Sequence, residues 1–125
     1  MAMKTIMIVD DSATMRRMIQ ASLRQVADVQ FAEADSGLAA IERLAVAPVH
    51  LMTLDINMPD MHGLDVLRFI RAQPTYTALP VIVLTTRSDE IAYAETRAAG
   101  ASLCLSKPFD PSILAAHVRA LLSAQ

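Results

Sequence analysis

Cysteine is almost missing from this 125-residue chain. Cys104 stands alone, so no internal disulfide can form and a reducing compartment is expected. Glycine is nearly as scarce: Gly37, Gly63 and Gly100 lie far apart, which rules out the glycine-rich loops that cradle nucleotide or flavin phosphates. No apolar run reaches the length of a membrane span, although hydrophobic residues make up 54% of the chain. Near the N-terminus, one lysine followed by Ile6-Met7-Ile8-Val9 is too short for a signal-peptide core. There is no basic cluster either; 11 Lys and Arg against 13 Asp and Glu leave a net charge of −2, and no nucleic-acid footprint. Repeats, linkers and low-complexity segments are absent. What remains is one soluble, cytoplasmic domain over residues 1–125, large enough to bury a real core. It is expected to be a monomer with neither nucleic-acid nor membrane partners.

The chain is organised around Leu51-Met52-Thr53-Leu54-Asp55-Ile56-Asn57-Met58-Pro59-Asp60-Met61-His62-Gly63, an apolar run broken by one carboxylate. Pro59 lacks a backbone N–H and Gly63 permits a sharp turn, so Asp55 is expected at the tip of a buried strand facing a structured loop. Four more strands read out as Thr5–Val9, Val29–Ala32, Val81–Leu84 and Leu103–Leu105. Five helices alternate with them. The first carries Met15, Met18, Ile19, Leu23 and Val26 on one side, Arg16, Arg17 and Gln20 on the other, with Ser12 as cap. Leu38, Ile41 and Leu44 mark the second, and Leu64, Leu67 and Ile70, joined by Val66 and Phe69, the third. Ser88-Asp89-Glu90 opens a short, alanine-rich fourth helix, with Ser88 as the capping hydroxyl. Asp110-Pro111 opens the last, whose apolar face is Leu114, Val118, Leu121 and Leu122.

Strict alternation predicts an α/β fold, a doubly wound parallel sheet with helices on both faces. Right-handed crossovers place the carboxyl ends of the strands on one edge, where such sheets bind ligands. Asp10 and Asp11, Asp55, Thr85 and Lys107 all fall at such ends. Three gathered carboxylates repel: two unit charges about 4 Å apart cost roughly 4 kcal/mol at an effective dielectric near 20. The group therefore wants a cation, and Mg²⁺ fits better than zinc because His50, His62 and His117 are scattered surface or turn residues. Carboxylate, divalent metal, lysine and hydroxyl together suit phosphoryl transfer to an aspartate.

Asp10-Asp11, Asp55 within Asp-Ile-Asn-Met-Pro-Asp-Met-His-Gly-Leu-Asp, Thr85, and Lys107-Pro108-Phe109 resemble, in order and over essentially the whole chain, the receiver domain of two-component response regulators, most of all the stand-alone CheY-like kind. The resemblance implies the flavodoxin-like (βα)5 fold with strand order 2-1-3-4-5. It implies that Asp55 accepts the phosphoryl group. Mg²⁺ would be held by Asp11 directly, by Asp10 through water, by Asp55 and by the backbone carbonyl of Asn57. Lys107 would contact the phosphoryl group and Thr85 would couple its arrival to movement. The partners implied are a sensor histidine kinase or phosphotransfer protein, or a small acyl phosphate as donor, and a downstream target protein. The domain would be no enzyme on outside substrates; it would catalyse only its own phosphoryl transfer and slow dephosphorylation.

Two positions depart from the family pattern and bear on the switch. Cys104 stands where the family usually has Tyr or Phe, and Thr86 where it has Ala or Gly. Cys104 is expected to be a buried core thiol with no ring to move between pockets. Among rival readings, an aspartyl-phosphate hydrolase needs an acid two residues past its nucleophile, and here that residue is Asn57. A nucleotide or flavin module lacks its glycine-rich loop, and a non-catalytic pseudo-receiver would not need the complete set of site residues.

Overall fold

The structure, a computed structural model, describes residues 2–87 and 89–125. Strands β1 (Lys4–Val9), β2 (Val29–Ala34), β3 (Leu51–Asp55), β4 (Val81–Thr85) and β5 (Leu103–Ser106) alternate with helices α1 (Ala13–Leu23), α2 (Gly37–Val46), α3 (Gly63–Ala72), α4 (Glu90–Ala98) and α5 (Pro111–Ser123). All neighbouring strands pair in parallel, in the order β2-β1-β3-β4-β5. This is the doubly wound parallel sheet, in the strand order 2-1-3-4-5, that is expected from the sequence.

The inner strands are apolar on both faces because both faces are covered. Side chains alternate along each strand. Met7, Val9, Met52, Leu54, Val81 and Val83 therefore meet α2 and α3, while Ile6, Ile8, Leu51, Ile82 and Leu84 meet α1 and α5. Three apolar residues assigned to helix faces lie outside these two cores: Met18, Leu38 and Phe69 are each about half exposed. On α2 the inward positions belong to Gly37, Ala40 and Leu44. Small residues let that helix lie close to the sheet, and an eye for large apolar side chains passes over them. Phe69 follows Leu67 by two positions, more than half a turn around α3, so the two point opposite ways.

The chain begins at β1, steps out to β2, then crosses back to β3 on the other side of β1. The carboxyl ends of β1 and β3, partnered at Val9 and Leu54, thus lie side by side at the point where strand order reverses. Asp55 pairs with Leu84, and Thr85 with Ser106, so the ends of all four inner and right-hand strands finish at one level.

Candidate active site at the strand switch point

Asp10 follows β1 directly, and its carboxylate accepts from the N–H of Ser12 at 2.9 Å, a local turn that points Asp11 outward. The Ser12 hydroxyl in turn caps α1 by accepting from Met15 N–H. Asp55 ends β3 and is buried, as is Asp10, whereas Asp11 faces solvent. Carboxylate oxygens of these three residues lie within 4.8 Å of one another, a donor set of hard oxygens that suits a divalent cation such as Mg²⁺. Asn57 lies beside them, its N–H donating to Asp55 Oδ1 at 3.3 Å.

Lys107 reaches into the group from the end of β5. Its ammonium donates to Asp10 Oδ2 at 3.0 Å and to Asp55 Oδ1 at 3.1 Å, and little of any of the three side chains is exposed. Burial nevertheless pushes the Asp55 carboxyl above its ordinary range; attraction to Lys107 opposes this, and repulsion from Asp10 adds to it. Among the described residues Asp55 Oδ2 receives no hydrogen bond, which leaves one oxygen of the carboxylate open to a reacting group.

Thr85 is fully buried at the end of β4. Its hydroxyl oxygen accepts from Arg87 N–H at 3.0 Å, so its proton stays available for donation. Asn57, His62, Thr85, Arg87 and Glu95 share the walls of a small cavity of about 50 Å³ between the β3–α3 loop and α4. The helix beyond is loosely held: Ala92 and Thr96 are its buried residues, and Ile91 is largely exposed. Its cap is Asp89, accepting from Ala92 N–H at 2.7 Å; Ser88, the expected cap, lies outside the described residues.

Thr86 is exposed, and Cys104 is half-buried rather than sealed in the core. Position 104 lies on the edge strand, so only one side of it is fully covered. Its thiol lines a cleft of about 220 Å³ with Tyr93 and Arg97 of α4. Burial pushes this thiol up, against smaller pulls from the Thr96 hydroxyl and Arg97, which keeps it protonated and unreactive near neutral pH. The aromatic ring in this neighbourhood therefore comes from α4, not from β5.

Three features of the site escaped the sequence reading. Gly63 serves close approach rather than turn geometry: a Cβ there would sit 2.5 Å from the Asp55 carbonyl oxygen. Arg16, placed by periodicity on the outer face of α1, folds back over Asp10. The third is Asp60, whose carboxylate accepts from Gly37 N–H and Leu38 N–H, both at 3.2 Å, so the β3–α3 loop caps α2 from a distance. No local spacing signals a cap that is 22 or 23 residues away in sequence.

Desolvation pushes the Asp60 carboxyl up, but hydrogen bonds from Leu38, Gly37 and Met61 outweigh it and the net shift is downward. A carboxyl lowered on folding contributes stability above its unfolded value, near 3.8, and that contribution fades as pH falls through the still lower folded value. Asp60→Asn is expected to unfold at lower urea than wild type near neutral pH, with the gap closing in acid. Urea titrations over a pH series check this, and a gap that stays constant to the acid limit rejects the clamp.

With the geometry in place, the response regulator receiver domain family matches residues 6–119. The chain is 38% identical over 109 residues to the chemotaxis protein CheY of Pseudomonas aeruginosa, covering 87% of this chain and 88% of that protein. It is 34% identical over 118 residues to the chemotaxis protein CheY1 of Helicobacter pylori, covering 94% and 95%. Among solved structures, the chemotaxis response regulator CheY4 of Vibrio cholerae superposes with a TM-score of 0.87 at 30% identity, over 96% of this chain and 99% of that one. A putative response regulator from Chloroflexus aurantiacus does so with a TM-score of 0.90 at 30% identity, over 97% and 98%. No helix among the described residues is long and apolar enough to cross a membrane.

Proposed function

The chain belongs to the response regulator receiver family, and on that premise we propose that it is a phosphorylation-driven switch with Asp55 as acceptor. The observation that carries the reading is the largely buried lysine side chain held between two carboxylates at the strand switch point, with a third carboxylate beside them. In the transfer, Asp55 Oδ2 attacks phosphorus as the bond to the donor breaks. That donor is the phosphohistidine of a sensor kinase or phosphotransfer protein, or a small acyl phosphate, and the leaving group keeps the electron pair.

Asp10, Asp11, Asp55 and the Asn57 carbonyl would hold Mg²⁺, which when bound supplies positive charge to the phosphoryl oxygens. Lys107 supplies charge from the opposite side, exchanging one carboxylate contact for a phosphoryl oxygen. Asn57 is an amide and no base, so nothing at that position takes a proton from an attacking water, and hydrolysis of the acyl phosphate is slow.

Thr85 then turns its free proton toward the phosphoryl group, which strains the Arg87 N–H bond and moves the loop into α4. The sparse buried face of α4 makes it the element that responds, with Thr86 on the moving loop and Cys104 beside it. The output is altered binding of a downstream protein, chemotaxis being the process its named relatives serve. Residues 1–125 act in this as one receiver domain.

Incubation with acetyl phosphate and Mg²⁺ is the direct test. One base-labile phosphoryl group should appear by intact mass, map to Asp55, and fail to appear when a chelator removes the metal. Addition at another residue, or equal addition without metal, rejects the assignment.

A further inference from the structure

We propose that Arg16 is a positioning residue for the divalent-cation site, fixing the Asp10-Asp11 turn from outside; the inference rests on the reading of that site given above. Arg16 Nη1 donates to the backbone carbonyl of Asp10 at 2.6 Å, while its Nε pairs with Glu33 Oε1 on β2 at 2.9 Å. The Arg16 side chain is 16% exposed, which separates it from its neighbour Arg17, an exposed residue whose side-chain bond to Thr14 is long at 3.5 Å.

The placement follows from helix geometry. Long side chains on a helix point back toward its N-terminus, so a residue one turn past the Ser12 cap reaches the chain entering the helix. Asp10 then has every polar group engaged. Its N–H goes to Ala34 O, its carbonyl to Arg16, and its carboxylate to Ser12 N–H and Lys107. Of the bonds that anchor its backbone, only the one from Arg16 comes from a side chain, so a substitution can remove it without touching a metal ligand.

Two effects oppose each other. A guanidinium near three carboxylates repels an incoming cation, whereas the fixed turn holds Asp10 and Asp11 at the right separation for one. Arg16 spends its charge on Glu33 and meets Asp10 at the backbone carbonyl, not at the carboxylate. Geometry therefore wins, and removing Arg16 weakens metal binding. Groups that orient metal ligands from outside are worth about 10- to 100-fold in affinity.

The test is Mg²⁺ titration of the whole chain by calorimetry, with amide NMR shifts of residues 10–12, for wild type, Arg16→Ala, Arg16→Lys and Glu33→Gln. Arg16→Ala is expected to bind Mg²⁺ about 10-fold more weakly, with the Ser12 amide displaced before any metal is added. Arg16→Lys should recover part of the loss, since an ammonium can reach one partner but not fork between both. Glu33→Gln should fall between. If Arg16→Ala does not fold, weaker Mg²⁺ binding by Arg16→Lys and Glu33→Gln than by wild type supports the proposal in its place. Mg²⁺ affinity equal to or tighter than wild type in these variants overturns the proposal, even where urea stability drops, because that pattern marks a purely structural arginine. Absence of Mg²⁺ binding in wild type rejects the site itself, and the two failures are thereby distinguished.

Discussion

Asp55→Asn is expected to take up no phosphoryl group from acetyl phosphate under conditions that label wild type, and to be more stable than wild type when metal is absent. The first effect follows from chemistry, since an amide oxygen is no nucleophile toward phosphorus at neutral pH. The second follows from burial. The Asp55 carboxyl is raised on folding, so the folded protein holds that proton more tightly than the unfolded chain does. Any stability this confers is present below the unfolded value of 3.8, and is lost as pH rises through the folded value. As pH rises through that folded value, wild type takes on the cost of ionising a buried Asp55. Asparagine keeps the shape and still accepts from Lys107 and from the Asn57 N–H, without the charge. Its advantage in urea should be greatest near neutral pH and narrow in acid. Labelling equal to wild type would reject Asp55 as acceptor; a destabilised variant near neutral pH would show that the ion pair with Lys107 outweighs burial.

Gly63→Ala should be the most damaging small substitution near the site. The added Cβ would lie 2.5 Å from the Asp55 carbonyl oxygen, 2.6 Å from Ile56 Cα and 3.1 Å from the Ile56 carbonyl oxygen. These are backbone atoms and have no rotamer to yield. The Gly63 N–H also donates to Ile56 O at 2.8 Å, so retreat of the α3 N-terminus costs a hydrogen bond as well. Overpacking of this kind costs about 3 kcal/mol, read as a lower urea midpoint. Phosphorylation should slow by far more than stability alone explains, because a shift of about 1 Å at a reacting group can cost about 100-fold. A variant with wild-type stability and labelling rate would mean that the loop has slack which the close contact denies.

The strand ends and their reactive residues were readable in the sequence because a buried parallel strand is a continuous apolar run, and Asp55 and Lys107 interrupt or terminate such runs abruptly. Their convergence followed from topology. Less legible were contacts made by direction rather than spacing. Arg16 sits on the polar side of α1 by periodicity, yet its length carries the guanidinium back to Asp10. Asp60 looks like a loop residue until α2 is placed beneath it. Gly63 looks like a turn glycine until the Asp55 carbonyl is found against it. Gly100 is the contrasting case: its φ of +110° is one that side chains rarely adopt, and a Cβ there would also meet Arg71.

Lys107 also sets the formal charge of the cluster. Three carboxylates and one ammonium leave a formal charge of −2, and the nearby Arg16–Glu33 pair adds nothing to that sum. One divalent ion balances the cluster. A monovalent ion would leave it half compensated, so preference for a divalent over a monovalent ion is expected from charge before size or coordination number acts. The internal ammonium also spares two of the three acids from facing each other bare when metal is scarce. Replacing any one carboxylate by its amide would move the balance toward monovalent ions, which makes ion competition a sharper report on this cluster than affinity for a single metal.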